Sequence, residues 1–139
     1  GWQLSNAQIF PMAIHKASLE LFDEAGIENL RAKSETLTAY LEFILNEVNE
    51  VNANTDNNKM LHAEGNYFTI ITPKSIADRG CQLSIIVKEN GKNLFDFLET
   101  QGIMPDWREP DVIRLSPVPM YNSFEDVYRI GEAFKTYFS

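Results

Sequence analysis

The sequence predicts an α+β fold in which helices pack on one face of a small, mainly antiparallel sheet. Three observations predict it. The apolar spacing is helical up to a polar run near residue 52, then changes to a period of two. The elements read in the order two helices, two strands, helix, two strands, helix, which is neither a regular βαβ alternation nor an all-β pattern. The chain has 139 residues, 44% of them hydrophobic, which suits a single domain spanning residues 1–139 with one core.

The first helix is expected from Asn6 to Ala25. Ser5 and Asn6 offer an N-cap, and Gly26 offers a left-handed stop. Its Ile9, Phe10, Ala13, Ile14, Ala17 and Leu21 recur densely enough to predict heavy burial. The second helix presents a narrower stripe of Leu30, Leu37, Leu41, Ile44, Val48 and Val51 on an otherwise charged surface. The polar run "NANTDNNK", from Asn52 to Lys59, then reads as a solvated loop.

Beyond it, Phe68 and Ile70 flank Thr69, and Cys81, Leu83, Ile85 and Val87 alternate with polar partners, giving two strands. A short helix around Leu94, Phe95 and Leu98 ends at Gly102. The segment "GIMPDW", a turn at Pro110 and Asp111, and the strand Val112–Leu115 follow. Ser123 opens the last helix with Asp126 placed for a capping box, and Val127, Ile130, Phe134 and Phe138 form its apolar face.

Composition narrows the functional classes. A formal net charge of −8 argues against nucleic acid, whose phosphates call for clustered Lys and Arg. No stretch approaches the roughly 20 apolar residues of a membrane span, and nothing at the start resembles a signal peptide. The single cysteine, Cys81, has no internal disulfide partner, which points to a reducing, cytoplasmic location. The chain opens on Gly1 and not on Met, so it is expected to be cut from something longer.

One residue breaks the pattern: Arg114 sits in the middle of an apolar strand. By alternation it shares a face with Val112 and Ser116, while Ile113 and Leu115 point the other way. An unpaired buried guanidinium is too costly, so Arg114 must reach solvent or meet an anion. The anion is either a protein carboxylate, with Asp111 and Glu109 the nearest in sequence, or the carboxylate of a ligand gripped by the planar fork. Ser5 and Asn6 are likewise either plain helix caps or part of an anion site at a helix N-terminus. His15 and His62 lie far apart without metal-ligand spacing, so no metal site is expected. Cys81 reads as core, and Trp107, Tyr121 and Phe124 as core or pocket lining. No complete catalytic set is present.

The segments "QLSNAQI", "HKASLELFDEAG", "LRAKSETLTAYLE", "DRGCQLSI" and "GIMPDWREPDVIRLSPVPMYNSFEDVYRIGEAF" together resemble the C-terminal domain of the kynureninase family. They run in order over nearly the whole chain. The resemblance implies the small domain of a fold-type I, aspartate-aminotransferase-like enzyme of the class V group. Such an enzyme uses pyridoxal phosphate, bound to a lysine of a preceding large domain, to hydrolyse L-kynurenine or 3-hydroxykynurenine. The products are anthranilate or its 3-hydroxy form and L-alanine, in tryptophan catabolism leading to NAD.

By the same resemblance Arg114 binds the substrate carboxylate, Asn6 contacts the cofactor phosphate across a homodimer boundary, and Ser5 lies beside the substrate ring. The family's I-S-N motif falls on Leu4, Ser5 and Asn6 with leucine in place of isoleucine, and "AQI" replaces a proline-containing segment. None of the seven lysines matches the cofactor lysine, so no catalytic residue is expected in this chain and it is expected to be inactive alone. The expected partners are the large domain of the same polypeptide, a second copy of the parent and an amino-acid substrate. The competing readings are another class V enzyme, such as a cysteine desulfurase or aminotransferase, and a non-catalytic dimerisation module.

Overall fold

The structure is a computed structural model, and it describes residues 6, 8–55 and 66–139. Helix α1 spans Ile9–Ala25, α2 Ile27–Thr55, α3 Gly91–Thr100 and α4 Phe124–Phe138. Strands β1 (Phe68–Ile70), β2 (Leu83–Val87), β3 (Asp106–Arg108) and β4 (Val112–Leu115) form one sheet in the order β1-β2-β4-β3. Every pairing in it is antiparallel. The α+β class expected from the sequence is the one observed.

The sheet buries one face. Phe68, Leu83, Ile85, Val87, Ile113 and Leu115 point into a core closed by Leu37, Leu41, Leu45 and Val48 of α2, Leu94 and Leu98 of α3, and Val127 and Phe134 of α4. Phe68 and Phe134 meet edge to face at 5.5 Å between centroids, a geometry that adds to plain area burial. The side chains described within the α2 stripe are all buried, as expected, and Leu45 joins them. Asn49, also buried, fastens α2 to the start of β1. Its Nδ2 donates to the Phe68 carbonyl at 3.2 Å, and its Oδ1 accepts from the Tyr67 amide at 3.1 Å. One side chain thereby satisfies two backbone groups that the short strand would leave unpaired.

A second tie is ionic. Arg79 pairs with Glu42 at 2.7 Å, and its side chain is only 5% exposed. Arg31 donates to the carbonyls of Ile76 and Arg79, so the 3-10 turn Ile76–Asp78 is held against α2.

Four expectations need correction. First, α1 starts at Ile9 with Gln8 at the N-cap, not at Asn6. Pro11 explains it: in a helix capped at Asn6 its missing N–H would fall beyond the first turn, where a donor is required. Starting at Ile9 places Pro11 just ahead of the first helical bond, which runs from the Met12 amide to the Gln8 carbonyl at 3.0 Å. Second, α1 buries none of its residues, and Ile9, Phe10, Ile14 and Leu21 are all more than 60% exposed. Among the described residues no element faces that stripe, because the helices that close the core are α2, α3 and α4. Third, α2 continues through Asn52 to Thr55, a segment with neither glycine nor proline to stop it. The rest of the expected loop, and the side chain of Val51, lie outside the described residues. Fourth, β2 begins at Leu83, and Cys81 lies ahead of it, half-buried outside the core.

Gly26 separates α1 from α2 with φ +77 and ψ 126, a backbone region that glycine alone enters easily. It therefore turns the chain, as expected, but in an extended form and not as a left-handed helical residue.

At the other end, the capping box is present. The Asp126 amide donates to Ser123 Oγ at 3.2 Å, and Asp126 Oδ2 accepts from the Ser123 amide at 2.8 Å. The bond from the Ser123 backbone, and after it one from Ser123 Oγ at 3.0 Å, hold the Asp126 carboxyl below its ordinary pKa. A depressed folded value means stability that is present above about pH 4 and lost as pH falls through the lower value. Asp126→Asn should accordingly flatten the decline of Tm between about pH 4 and pH 2, measured by melting both proteins across that range. Parallel slopes would remove the coupling.

Helix α4 lies on α2 where Gly131 is buried, and a Cβ there would stand 2.2 Å from Ile44 Cγ2. Gly131→Ala should therefore lower Tm, since overpacking costs about 1–3 kcal/mol and the helix-propensity gain returns at most about 1 kcal/mol. The net loss corresponds to a fall of roughly 2–8 °C by calorimetry.

Candidate functional site

Burying alternate residues of β4 dictates where its arginine goes. Ile113 is 0% and Leu115 2% exposed, so Val112 and Arg114 stand on the sheet's other face, which none of α2, α3 and α4 covers. Register then builds a polar row across three strands. Ser84 of β2 and Asp106 of β3 lie on either side of Arg114. The neighbouring row consists of Ile86, Val112 and Arg108.

Within this row Asp106 Oδ2 is a shared acceptor. Arg114 Nε donates to it at 2.5 Å, and Arg114 Nη2 pairs with the same oxygen. Arg108 Nε approaches it at 3.0 Å. The Arg114 side chain is 29% exposed, so its charge is partly desolvated while its outer edge still reaches solvent. Nη1 makes no hydrogen bond among the described residues. Two guanidiniums and one carboxylate leave the cluster with a net charge of +1, on a chain whose overall charge is −8.

The partner of Arg114 is thus a protein carboxylate, though not one of the two nearest in sequence. Glu109 Oε1 accepts instead from Trp107 Nε1 at 2.9 Å, and Asp111 occupies the turn. The signal for Asp106 was available in the hairpin. A turn centred on Pro110 sets Asp106 opposite Arg114, as it sets Arg108 opposite Val112.

The floor beside the row is hydrogen-bonded. Gln82 Nε2 donates to Ser84 Oγ at 3.0 Å, Ser116 Oγ donates to Gln82 Oε1 at 3.4 Å, and the Ser84 amide donates to Thr72 Oγ1 at 2.8 Å. After Ser116, the stretch "PVPMYN" is anchored from two sides. Lys33 Nζ of α2 donates to the Pro119 carbonyl at 2.8 Å, and Asn122 Oδ1 accepts from the Val118 amide at 2.8 Å. Much of this distinctive segment thus ties the end of β4 to α2 and α4.

A cleft of about 360 Å³ opens next to that segment, lined among others by Met104, Ser116, Tyr121, Asn122 and Arg129. Arg114 does not line it, so this cleft and the cationic row are separate features. The three aromatics singled out in the sequence divide. Trp107 packs edge-on against Phe95 at 5.9 Å, Phe124 meets Tyr40 at 5.9 Å, and Tyr121 borders the cleft with 75% exposure.

Ser5 and His62 lie outside the described residues, and Asn6 is exposed ahead of α1. Asn6 makes no hydrogen bond to the Arg114 row among the described residues, and the N-cap of α1 falls on Gln8. His15 is exposed on α1. No described group of three or more His, Cys, Asp or Glu could hold a metal ion, and no described helix is long and apolar enough to cross a membrane.

Comparison with known proteins gives one consistent result. Residues 30–134 match the family model described as the kynureninase C-terminal domain. The kynureninase of Flavobacterium psychrophilum is 46% identical over 135 residues, which is 97% of this chain and 29% of that protein. The kynureninase of Xanthomonas campestris pv. campestris strain B100 is 44% identical over 141 residues, covering 99% of this chain and 30% of the relative. That of Myxococcus xanthus is 46% identical over 129 residues, or 93% and 27%. The chain spans less than a third of the length of the curated relatives it matches.

The Arg114–Asp106 pair lies on an open sheet face, where ion pairs contribute about 0–1 kcal/mol. Arg114→Ala should therefore shift the Tm of this chain by no more than a few degrees in either direction, read by circular dichroism. A large drop would make Arg114 a structural residue first.

Proposed function

This chain belongs to the kynureninase family as its C-terminal domain, and from that premise we propose that its parent hydrolyses L-kynurenine or its 3-hydroxy form. The products are anthranilate, or 3-hydroxyanthranilate, and L-alanine, and the reaction serves tryptophan catabolism in the cytoplasm. Arg114 supports this reading most. It offers a free guanidinium edge, in a cluster of net positive charge, on the face of the sheet that α2, α3 and α4 leave open. An amino-acid substrate brings a carboxylate, and a planar fork holds both its oxygens at once.

Pyridoxal phosphate, when bound, supplies an electron sink for the charge left at the substrate's Cα. Four of the described lysines are engaged within this chain. Lys33 donates to the Pro119 carbonyl, while Lys16, Lys92 and Lys135 pair with carboxylates on their own helices. By the family resemblance, attachment is assigned to the large domain of the same polypeptide. What this chain offers is a partial site. Arg114 orients the substrate by its carboxylate. Asn6, exposed ahead of α1, has a side-chain amide suited to the cofactor phosphate of the partner subunit in a homodimer. Ser5 is assigned to the neighbourhood of the substrate ring.

The bare apolar stripe of α1 belongs to the same reading. A contiguous exposed apolar surface marks an interface. Its occupant is assigned to the large domain, because the relatives are more than three times as long as the part matched here.

The test is anthranilate release by the full-length protein. The isolated chain mixed with pyridoxal phosphate and kynurenine should release none above the free-cofactor background. In the full-length protein, Arg114→Lys keeps the charge and loses the fork, and Arg114→Ala loses both. Charge-assisted hydrogen bonds at about 1.5–3 kcal/mol each predict losses in kcat/KM from about 10-fold for lysine to about 10⁴-fold for alanine. Near-normal kinetics in the alanine variant would retire the carboxylate role. Turnover of alanine or cysteine in place of kynurenine would favour a different class V enzyme.

A further inference from the structure

The strongest unassigned feature is the way Asp106 grips Arg114. A guanidinium has two edges with paired donors: a side edge formed by Nε and Nη2, and an end edge formed by Nη1 and Nη2. Asp106 Oδ2 takes the side edge, accepting from Nε and Nη2. The end edge is left, with Nη1 making no hydrogen bond among the described residues. On the other flank the same oxygen is held by Arg108 Nε at 3.0 Å. Asp106 is therefore braced from two directions on a strand whose register sets it directly opposite Arg114.

We propose that Asp106 is a positioning residue for the reaction proposed above: it clamps the side edge of Arg114 so that the end edge faces the substrate carboxylate. The proposal rests on the reading of Arg114 as the carboxylate-binding residue. Arg108 completes the device in two ways. It fixes the Asp106 carboxylate, and it supplies the second positive charge that keeps the cluster at +1 after Asp106 has neutralised one arginine. Arrival of a ligand carboxylate then brings the cluster to two cations and two anions. Without Asp106 the long Arg114 side chain would sample several rotamers on an open sheet face, and the carboxylate would be held in several orientations.

The test uses the full-length enzyme with Asp106→Ala, Asp106→Asn, Arg114→Ala and the double variant Asp106→Ala with Arg114→Ala. Asp106→Ala should lower kcat/KM for kynurenine about 10- to 100-fold, mostly through KM. Asp106→Asn keeps an oxygen acceptor facing Arg114 and should recover part of the loss. In the Arg114→Ala background, the further change Asp106→Ala should cost about twofold or less, because the side chain it positions is already gone. Binding supplies a second readout. Asp106→Ala should weaken a substrate-like inhibitor with a free carboxylate and leave its carboxamide analogue unchanged.

Tighter carboxylate binding in Asp106→Ala would show that Asp106 competes with the ligand, and would overturn the proposal. An equal loss with and without Arg114 would place the effect in the fold and overturn it too. If Arg114→Ala itself leaves kinetics and inhibitor binding intact, the reading of Arg114 fails and the clamp falls with it. A damaging Arg114→Ala beside a silent Asp106→Ala would remove the clamp alone.

Discussion

The burial of Ile113 and Leu115 is the constraint on which the rest depends. Both side chains enter the core between β2 and the helices, and their alternation leaves one direction for Arg114. A register slip of one residue would drive the guanidinium into the core and expose two core residues. That exchange carries a desolvation penalty that no buried carboxylate among the described residues offsets, so the hydrophobic effect holds a cation in place with some precision. The same pairing aligns Ser84 and Asp106 with Arg114. Apolar packing on one face thus determines the order of charges on the other.

The helices serve this arrangement by occupying one side only. Helix α2 meets α4 at Gly131, where the absence of a side chain allows close approach, and holds β1 through Asn49. Lys33 ties α2 to the loop that follows β4. The distinctive segment after Arg114 is explained largely by structure: Asn122 closes a turn, Ser123 and Asp126 cap α4, and Val127 is fully buried. A long shared motif of this kind reports a family through its fold as well as through its chemistry.

Periodicity made the elements legible, and so did the capping box and the displacement of Arg114 from the core. These are local features, set by spacing of two, three or four residues. The start of α1 was also legible, since Pro11 requires it, but the cap signal at Ser5 and Asn6 competes with it in the sequence. Asp106 could be found only by folding the hairpin about Pro110 and reading across it. Asn49 with Phe68, and Arg79 with Glu42, join residues 19 and 37 positions apart, and no short pattern announces them. The apolar stripe of α1 was read correctly as a stripe. Its burial was misread, because spacing tells that a face must be covered and not by what.

Both outer strands of the sheet, β1 and β3, are only three residues long. An open strand edge is an invitation to pair with another chain, and proteins discourage it with short edges and with charge. Strand β3 has both deterrents, since Asp106 and Arg108 occupy two of its three positions. The ion-paired cluster around Arg114 therefore also keeps the sheet from growing sideways. Replacing those charges with β-branched apolar residues would lengthen no strand, yet it would convert a guarded rim into an adhesive one. Protection of the sheet edge and the ion pairing of Arg114 are thus coupled at the same two residues.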